Sequence, residues 1–311
     1  MRVLTGPAVA LVGATASGKS ALAHEVALAQ GDVDILSVDA MCVYRGMDLA
    51  TAKPTRRERD EVPYHLLDLV EPSEEFTVAQ FQRDAREATS HVWSVGRRAL
   101  FVGGTGLYGR AVLDDLDIPG RYPEVRRELE ERAANDLGSL YAQLEGLDPL
   151  SASRMEPSNE RRVVRALEVT LGSGRRFSSY GQGLMTYGPA RVVQIGLEVP
   201  LEVLDQRIDE RLRRWVDEGL VEEVHALLQR PGGMGRTARQ AVGYRQILSH
   251  IEDGQPLEWC VSEAIVQSRR LARRQRSWFH RDPRIEWFED PASAAARLVA
   301  VLNESERFVR D

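Results

Sequence analysis

The 311-residue chain contains two cysteines and two lysines, and it has no long apolar run. The cysteines, Cys42 and Cys260, are too few for a disulfide framework or for a zinc site built from four thiolates. No apolar stretch reaches the roughly 18 residues that a helix needs to span a bilayer, and the first residues show no signal-peptide cleavage pattern. With 43% hydrophobic and 28% charged residues, the composition is that of an ordinary globular protein. We therefore expect a cytoplasmic protein with no membrane partner.

Lysine is unusually scarce among the basic residues. Of 41 basic residues, Lys19 and Lys53 are the two lysines, and the other 39 are arginine. Because arginine serves nearly everywhere else, a retained lysine indicates a position where a compact ammonium fits and a planar guanidinium does not. Lys19 lies in a glycine loop, where that demand is expected, whereas chance retention explains Lys53 equally well. The net charge of −6 argues weakly against nucleic-acid binding, but a sum hides how charge is distributed.

Apolar runs separated by helical patterns predict an α/β fold. The predicted strands are residues 8–12, 33–39, 98–102, 192–199 and 285–288. This alternation is typical of a parallel sheet flanked by helices, of the P-loop NTPase type. Ligands of such sheets bind at the carboxyl ends of the strands, where Gly13, Asp39 and Thr105 fall. The sequence therefore predicts that these three residues line one crevice.

The strand pattern disappears in the middle of the chain. Between Pro119 and about Gly188 we find two helical stretches rich in arginine and glutamate. A helical insertion domain at 120–188 is predicted, bounded by Pro119-Gly120 and by the glycine-rich segment 178–189. Residues 1–119 and 189–311 would then form the core domain that carries the active site.

Two later segments, 201–228 and 262–281, are each predicted to be an amphipathic helix. The first places Arg207, Arg211 and Arg214 on one stripe, beside an apolar stripe. The second carries six arginines on the side opposite its apolar face. This helix would be a concentrated positive surface in a chain that is acidic overall.

Residues 13–20, GATASGKS, match every fixed position of the P-loop pattern. The pattern follows a predicted strand and opens a predicted helix, which is the context that a P-loop requires. Its backbone N–H groups would surround phosphate oxygens together with the positive end of the helix. Lys19 would add its ammonium, and the Ser20 hydroxyl would bind Mg²⁺. The loop therefore predicts a ligand that carries a di- or triphosphate.

Two further strand ends carry polar side chains beside this loop. Asp39 could hold Mg²⁺, as carboxylates do in P-loop ATPases, or act as a general base toward a second substrate. Thr105 lies on the glycine turn GGTG, where a ligand can approach the backbone closely and the hydroxyl can donate to a phosphate oxygen. The residues alone leave these roles open.

Several blocks of the sequence resemble the successive motifs of tRNA dimethylallyltransferases, also called tRNA isopentenyltransferases. These blocks are GATASGKS, SVDAMCVYRGMDLATAKP, YHLLDLVEPSEEFTVAQF, FVGGTGLY, RVVRALEV, AVGYRQI and LARRQRSWF, in the family's order from about residue 8 to 288. The resemblance implies transfer of a dimethylallyl group from dimethylallyl diphosphate to N6 of adenosine 37. That adenosine lies beside the anticodon in tRNAs that read codons beginning with U. The products would be pyrophosphate and the prenylated tRNA, and Mg²⁺ would be the cofactor.

The resemblance also implies roles for particular residues. Asp39 matches the family's base, and Lys19, Thr105 and Arg211 would stabilise the leaving diphosphate as catalytic groups. The diphosphate would be bound by Gly13, Ala14, Thr15, Ala16, Ser17, Gly18, Lys19, Ser20 and Arg207. The positions that match the family's tRNA contacts are Asp39, Ala40, Met41, Cys42, Arg161, Arg162, Val163, Val164, Arg165, Gln240, Ala241, Val242, Gly243, Tyr244 and Arg245. The arginine-rich helix would contact the phosphate backbone of the anticodon stem-loop, and a monomer is expected.

The chain departs from the family pattern in two places. Asp39-Ala40-Met41-Cys42 stands where the family often has Asp-Ser-x-Gln, and a cysteine cannot make the paired contacts of a glutamine. Glu156-Pro157-Ser158-Asn159 stands where His-Pro-Asn-Asp is frequent. The choice of target loop could therefore differ. The alternatives are prenylation of free AMP or ATP, a P-loop small-molecule kinase, and an RNA-binding ATPase switch.

Overall fold

The computed structural model of the chain describes residues 8–181, 186–190 and 192–305. Part of the predicted glycine-rich boundary at 178–189, residues 182–185, and both ends of the predicted core domain lie outside these residues. The strands are β1 (Ala8–Val12), β2 (Val33–Ser37), β3 (Tyr64–His65), β4 (Arg98–Gly103), β5 (Val193–Leu197) and β6 (Ile285–Phe288). They form one sheet in the order β3-β2-β4-β1-β5-β6, and every pair in it is parallel. The predicted α/β class with a parallel sheet is thus confirmed.

Helices follow most of the strands. They are α1 (Lys19–Gln30), α2 (Arg56–Glu61), α3 (Val78–Ser94), α4 (Gly106–Leu113), α5 (Pro123–Leu147), α6 (Pro149–Ala152), α7 (Glu160–Ser173), α8 (Leu201–Asp217), α9 (Leu220–Leu228), α10 (Tyr244–Asp253), α11 (Leu257–Phe279) and α12 (Pro291–Ser305). Across the parts of the chain that the structure describes, no helix is long and apolar enough to cross a membrane.

Several predicted boundaries need correction, among them that of the helix predicted at 262–281, which is α11 and begins at Leu257. The strand predicted at 33–39 ends at Ser37, so Asp39 lies two residues beyond it. The strand predicted at 192–199 is shorter, because β5 comprises only Val193–Leu197. The single helix predicted at 201–228 is two helices, because Gly219 adopts a φ of 103° between α8 and α9. A left-handed residue ends a right-handed helix, although the apolar pattern continues across it. The strand β3 was not predicted, since two residues are too short for a periodic signal.

The sheet is covered on both faces. One apolar cluster packs α1 and α12 against it, with Leu22, Val26 and Leu298 among its buried members. The larger cluster covers the opposite face with α3, α4 and α8 to α11, including Phe81, Leu212 and other buried side chains. Burial on both faces explains why the central strands read as continuous apolar runs.

The chain divides into two compact units. The first comprises the residues up to Asp115 and those from Pro189 onward, and the second is Leu116–Gly188. Residues 116–119, which the sequence prediction gave to the core domain, therefore belong to the second unit. This unit has its own core, in which Leu140 of α5 and Leu167 of α7 are fully buried. The buried Glu168 accepts the N–H of Tyr122 at 2.9 Å and pairs with Arg165 at 2.9 Å.

Candidate active site

The P-loop turns sharply between β1 and α1. Gly13, Ala16 and Gly18 all have positive φ, at 156°, 64° and 93°. A Cβ at Gly13 would lie 3.1 Å from the carbonyl oxygen of Leu197 in β5, so the loop needs glycine there for space as well. The left-handed conformation of Ala16 costs about 1 kcal/mol. This turn leaves the N-terminus of α1 open at Lys19, in the arrangement that the motif predicts.

Lys19 lies inside this turn. Its Nζ donates to the carbonyl oxygen of Ala14 at 3.1 Å, which is its only hydrogen bond among the described residues. Burial lowers the pKa of Lys19 to about 8, against the opposing attraction of Asp39 and with a smaller repulsion from Arg211. The ammonium is therefore poorly solvated and has N–H donors to spare. Such a group gains strongly from an anion placed beside it.

Two arginines of α8 reach the P-loop. Arg211 donates from Nη2 to the hydroxyl oxygen of Thr15 at 2.8 Å, and its guanidinium lies 4.6 Å from the ring centre of Trp215. Burial lowers the pKa of Arg211 to about 10, so it stays charged at neutral pH. Arg207 donates to the carbonyl oxygens of Ala16 and Ser17, at 3.3 and 3.4 Å.

The third arginine of this stripe does not reach the P-loop. Arg214 is exposed and pairs with Glu218 at 3.5 Å. Arg207 and Arg211, four residues apart, thus contact the P-loop, whereas Arg214 points away from it.

Two buried polar atoms at this site have no hydrogen-bond partner within the described ranges. They are Oγ of Ser17, in the P-loop, and Nε of Arg211. A buried polar atom without a partner costs about 1–3 kcal/mol. Native structures accept such costs where a ligand or solvent supplies the missing partner.

Asp39 and Thr105 lie beside each other at the strand ends. Oδ1 of Asp39 accepts the N–H groups of Met41 at 2.8 Å and Cys42 at 3.4 Å, which holds the segment after β2 in a turn. Oγ1 of Thr105 accepts the N–H of Ala40 at 3.2 Å, so the Thr105 hydroxyl proton remains available to donate. The structure therefore brings the predicted residues Lys19, Asp39, Thr105 and Arg211 to one edge of the sheet.

Lys53, the second lysine, holds the segment that follows Asp39. Its side chain is fully buried, and Nζ donates to the carbonyl oxygen of Tyr44 at 2.5 Å. It also pairs with Asp48 at 2.9 Å and with Asp68 at 2.6 Å. Glu223 of α9 accepts the N–H of Asp48 at 3.2 Å. Sequence reasoning did not foresee this network, whose only signal was the rarity of lysine.

The three predicted tRNA-contact segments are only partly exposed. The side chains of Cys42, Val163, Val164, Ala241 and Tyr244 are buried, so in this structure they cannot meet RNA. Arg161, Arg162, Gln240 and Arg245 are exposed. The family motifs name consecutive residues, but in a helix such as α7 residues three or four positions apart share a face, so consecutive residues point both inward and outward. Arg165 is occupied as well, because it pairs with Glu168 at 2.9 Å and donates to the carbonyl oxygen of Pro119.

The arginine-rich helix α11 is also less free than its sequence indicates. Arg273 pairs with Asp205 of α8 at 2.7 Å, and Arg276 pairs with Glu198 after β5. These contacts fasten α11 to the rest of the sheet unit. Arg270 and Arg274 are exposed and remain open to a partner.

No described group of three or more His, Cys, Asp or Glu residues could hold a metal ion. Ser20, the predicted Mg²⁺ ligand, is exposed at the start of α1. A cation here would need most of its ligands from a bound molecule and from water.

A parallel sheet with this loop, a carboxylate and a threonine at neighbouring strand ends defines a P-loop protein of the α/β class. The model of the IPP transferase family matches residues 42–282, so the chain belongs to that family. It is 46% identical to the tRNA dimethylallyltransferase of Paenarthrobacter aurescens over 300 residues, 96% of either chain. It is also 46% identical to that of Kineococcus radiotolerans over 308 residues, 95% of this chain and 96% of the other.

A solved structure has the same fold. It is a tRNA isopentenylpyrophosphate transferase from Bacillus halodurans, with 32% identity and a TM-score of 0.68. The match covers 99% of this chain and 100% of that one. The family resemblance predicted from the sequence motifs is thereby confirmed.

Proposed function

We propose that this protein transfers a dimethylallyl group from dimethylallyl diphosphate to N6 of adenosine 37 in tRNAs that read codons beginning with U. The observation that carries the proposal is the meeting of Lys19 and Arg211 with Asp39 and Thr105 at one sheet edge. Relatives that the chain matches over nearly their whole length are named tRNA dimethylallyltransferases.

The P-loop side of the site suits the leaving group. As the allylic C1–O bond breaks, its electron pair passes to the diphosphate and negative charge grows on the oxygens. Lys19 with its spare donors, Arg211 with its unpartnered Nε and the Thr105 hydroxyl would stabilise that charge. Arg207 and the P-loop backbone, residues 13–20, would hold the diphosphate in place.

Asp39 suits the acceptor side. The exocyclic amine of adenine is a weak nucleophile because its lone pair is delocalised into the ring. As N6 forms its bond to C1, Asp39 would take the N6 proton on its free carboxylate oxygen, while Oδ1 stays bonded to the turn. A base must leave the stack of the anticodon loop to reach this position.

Ser20 is the one side chain that we assign to Mg²⁺ at this site. The Ser20 hydroxyl is exposed beside Lys19, and no described carboxylate cluster competes for the ion. Bound there together with the diphosphate oxygens, Mg²⁺ would neutralise part of the charge of the leaving group.

The tRNA would be held through its anticodon stem-loop, with this chain acting as a monomer. Arg161, Arg162, Gln240 and Arg245, together with Arg270 and Arg274 of α11, offer exposed polar groups. Contacts of this kind to phosphates make binding weaken steeply with salt. Because Cys42 is buried and donates its thiol to the carbonyl oxygen of Thr51 at 3.6 Å, it would shape the turn rather than read a base.

The deciding experiment incubates the purified protein with unmodified tRNA, Mg²⁺ and radiolabelled dimethylallyl diphosphate. We expect label in the tRNA, at adenosine 37, and stoichiometric pyrophosphate. Label in AMP or ATP in place of tRNA would identify an adenylate prenyltransferase and refute the proposal. Phosphoryl transfer from ATP without prenylation would identify a kinase, and ATP-dependent RNA binding alone would identify a switch.

A further inference from the structure

Helix α11 reaches the candidate active site through one uncharged polar side chain, Gln275. Its Oε1 accepts the N–H of Thr15, in the P-loop, at 2.8 Å, across 260 positions of sequence. Thr15 is the residue whose hydroxyl oxygen accepts from Arg211. Thr15 is therefore held at two points: α8 binds its side chain, and α11 binds its backbone.

The amide of Gln275 also lies against the glycine turn that carries Thr105. A Cβ at Gly104 would come within 2.7 Å of Nε2 of Gln275 and 3.3 Å of the carbonyl oxygen of Gly13. The amide thus fills the gap between the P-loop and the turn, and residue 104 is glycine where the amide needs the space.

One helical turn further along α11, Trp278 packs against Gly106, the other glycine that flanks Thr105. Its indole ring occupies the position that a Cβ at Gly106 would need. Gln275 and Trp278, three residues apart, lie on one face of α11. Both glycines that flank Thr105 are therefore covered by the same helix face.

The rest of α11 is well anchored. Arg273 pairs with Asp205 of α8, and Arg276 pairs with Glu198 at the end of β5. Ala272 and Phe279 are buried in the larger apolar cluster. A side chain on such a helix is a firm reference point for two glycine-rich loops that otherwise have few side chains of their own.

We propose that Gln275 is a positioning residue, which sets the spacing between the P-loop and the Thr105 turn and thereby the affinity for the diphosphate group. It acts through the backbone of Thr15 and Gly104 rather than on the reacting atoms. The inference rests on the proposed function only in taking the P-loop ligand to be a diphosphate.

The test compares Gln275→Met with Gln267→Met, using inorganic pyrophosphate with Mg²⁺ as the probe in titration calorimetry. Methionine keeps the length and volume of glutamine but loses both hydrogen-bonding groups. Gln267 lies two turns earlier on α11 and makes no hydrogen bond in the described part of the chain, so it is a matched control. We expect Gln275→Met to weaken pyrophosphate binding about tenfold, the equivalent of about 1.4 kcal/mol, with Gln267→Met unchanged.

Two further readouts separate positioning from a general structural role. The KM for dimethylallyl diphosphate should rise about tenfold in Gln275→Met, while the Kd for tRNA and the urea midpoint stay at the wild-type values. Equal pyrophosphate affinity in the two variants would overturn the proposal. A loss of affinity that is accompanied by a lower midpoint of urea unfolding would overturn it as well, because the loss would then reflect general destabilisation. A wild-type protein that fails to bind pyrophosphate would refute the proposed diphosphate site itself, which is a distinct result.

A double-mutant cycle tests the contact directly. Gly104→Ala places a methyl group against the Gln275 amide, so it should weaken pyrophosphate binding in the wild-type background. In the Gln275→Ala background only the 3.3 Å approach to the carbonyl oxygen of Gly13 remains, so the added effect of Gly104→Ala should be smaller than in the wild-type background. Additive effects would show that the two residues do not act through one contact and would reject the mechanism.

Discussion

Replacing Lys19 by methionine should remove the part of the pH dependence of diphosphate binding that Lys19 supplies. Burial holds the pKa of Lys19 at about 8 in the free protein, with Asp39, Arg211 and Cys42 as the charged or titratable groups that act on it. A group with that pKa is about 90% protonated at pH 7 and about 10% protonated at pH 9. The charge is therefore lost as the pH rises through about 8.

The sign of the effect follows from this loss. A bound diphosphate favours the protonated amine and raises its pKa, so binding takes up a proton near pH 8 and above. Only the protonated form offers the ammonium, so pyrophosphate affinity should fall about tenfold between pH 7 and pH 9. Pyrophosphate and Arg211 also titrate, but their titration changes the affinity of the wild-type protein and of Lys19→Met equally. The ratio of wild-type to Lys19→Met affinity should therefore fall about tenfold over this range.

Titration calorimetry in two buffers of different ionisation enthalpy measures both the pyrophosphate affinity and the number of protons taken up on binding. We expect an uptake of nearly one proton at pH 9 for the wild-type protein and less for Lys19→Met. A ratio that stays constant from pH 7 to 9 would show that the ammonium is solvated or does not contact the ligand. In steady-state assays at pH 7, Lys19→Arg should lower kcat/KM at least about a hundredfold. Full activity in that variant would refute the argument from the scarcity of lysine.

Three other changes test the remaining parts of the site. Asp39→Ala should abolish prenyl transfer, by a factor of about 10² to 10⁴, while tRNA binding measured by filter retention stays within about twofold; near-normal turnover would exclude Asp39 as the base. Lys53→Met should lower the free energy of unfolding in urea by about 3 kcal/mol because it removes the hydrogen bonds that the buried ammonium makes to Tyr44, Asp48 and Asp68, whereas Arg57→Met, at an exposed pair with Glu61, should leave the midpoint unchanged. Arg270→Ala and Arg274→Ala should each make the slope of tRNA affinity against salt concentration shallower by about 1, and unchanged slopes would show that α11 does not contact the phosphates.

The strands and the core of the site follow from local sequence, because their signals are local. Each of the five predicted strands is rich in apolar residues, and each predicted end falls within two residues of the observed one. Asp39 and Thr105 were predicted to meet because the carboxyl ends of parallel strands share an edge. The observed hydrogen bond between Ala40 and Thr105 is a direct consequence of that topology.

The contacts that sequence reasoning missed depend on partners far along the chain. Nothing near Gln275 indicates that its amide accepts from Thr15, although it interrupts a run of arginines. In the same way, the acidic partners of Arg273 and Arg276 lie on α8 and after β5. A helical projection separates charged from apolar faces, but it cannot tell a paired arginine from one that is open to RNA.

The two lysines show that composition nevertheless carries information of this long-range kind. Three acceptors surround the single nitrogen of Lys53 at 2.5, 2.6 and 2.9 Å, in a place where the side chain is fully buried. An ammonium directs three N–H groups from one point, whereas a guanidinium spreads its donors over a plane and needs more room. Lys19 is half-buried in the P-loop turn, where burial of its ammonium lowers its pKa to about 8. In a chain that uses arginine at 39 other positions, the packing around Lys53 thus accounts for one retained lysine, and the Lys19→Arg variant tests whether the same holds in the P-loop.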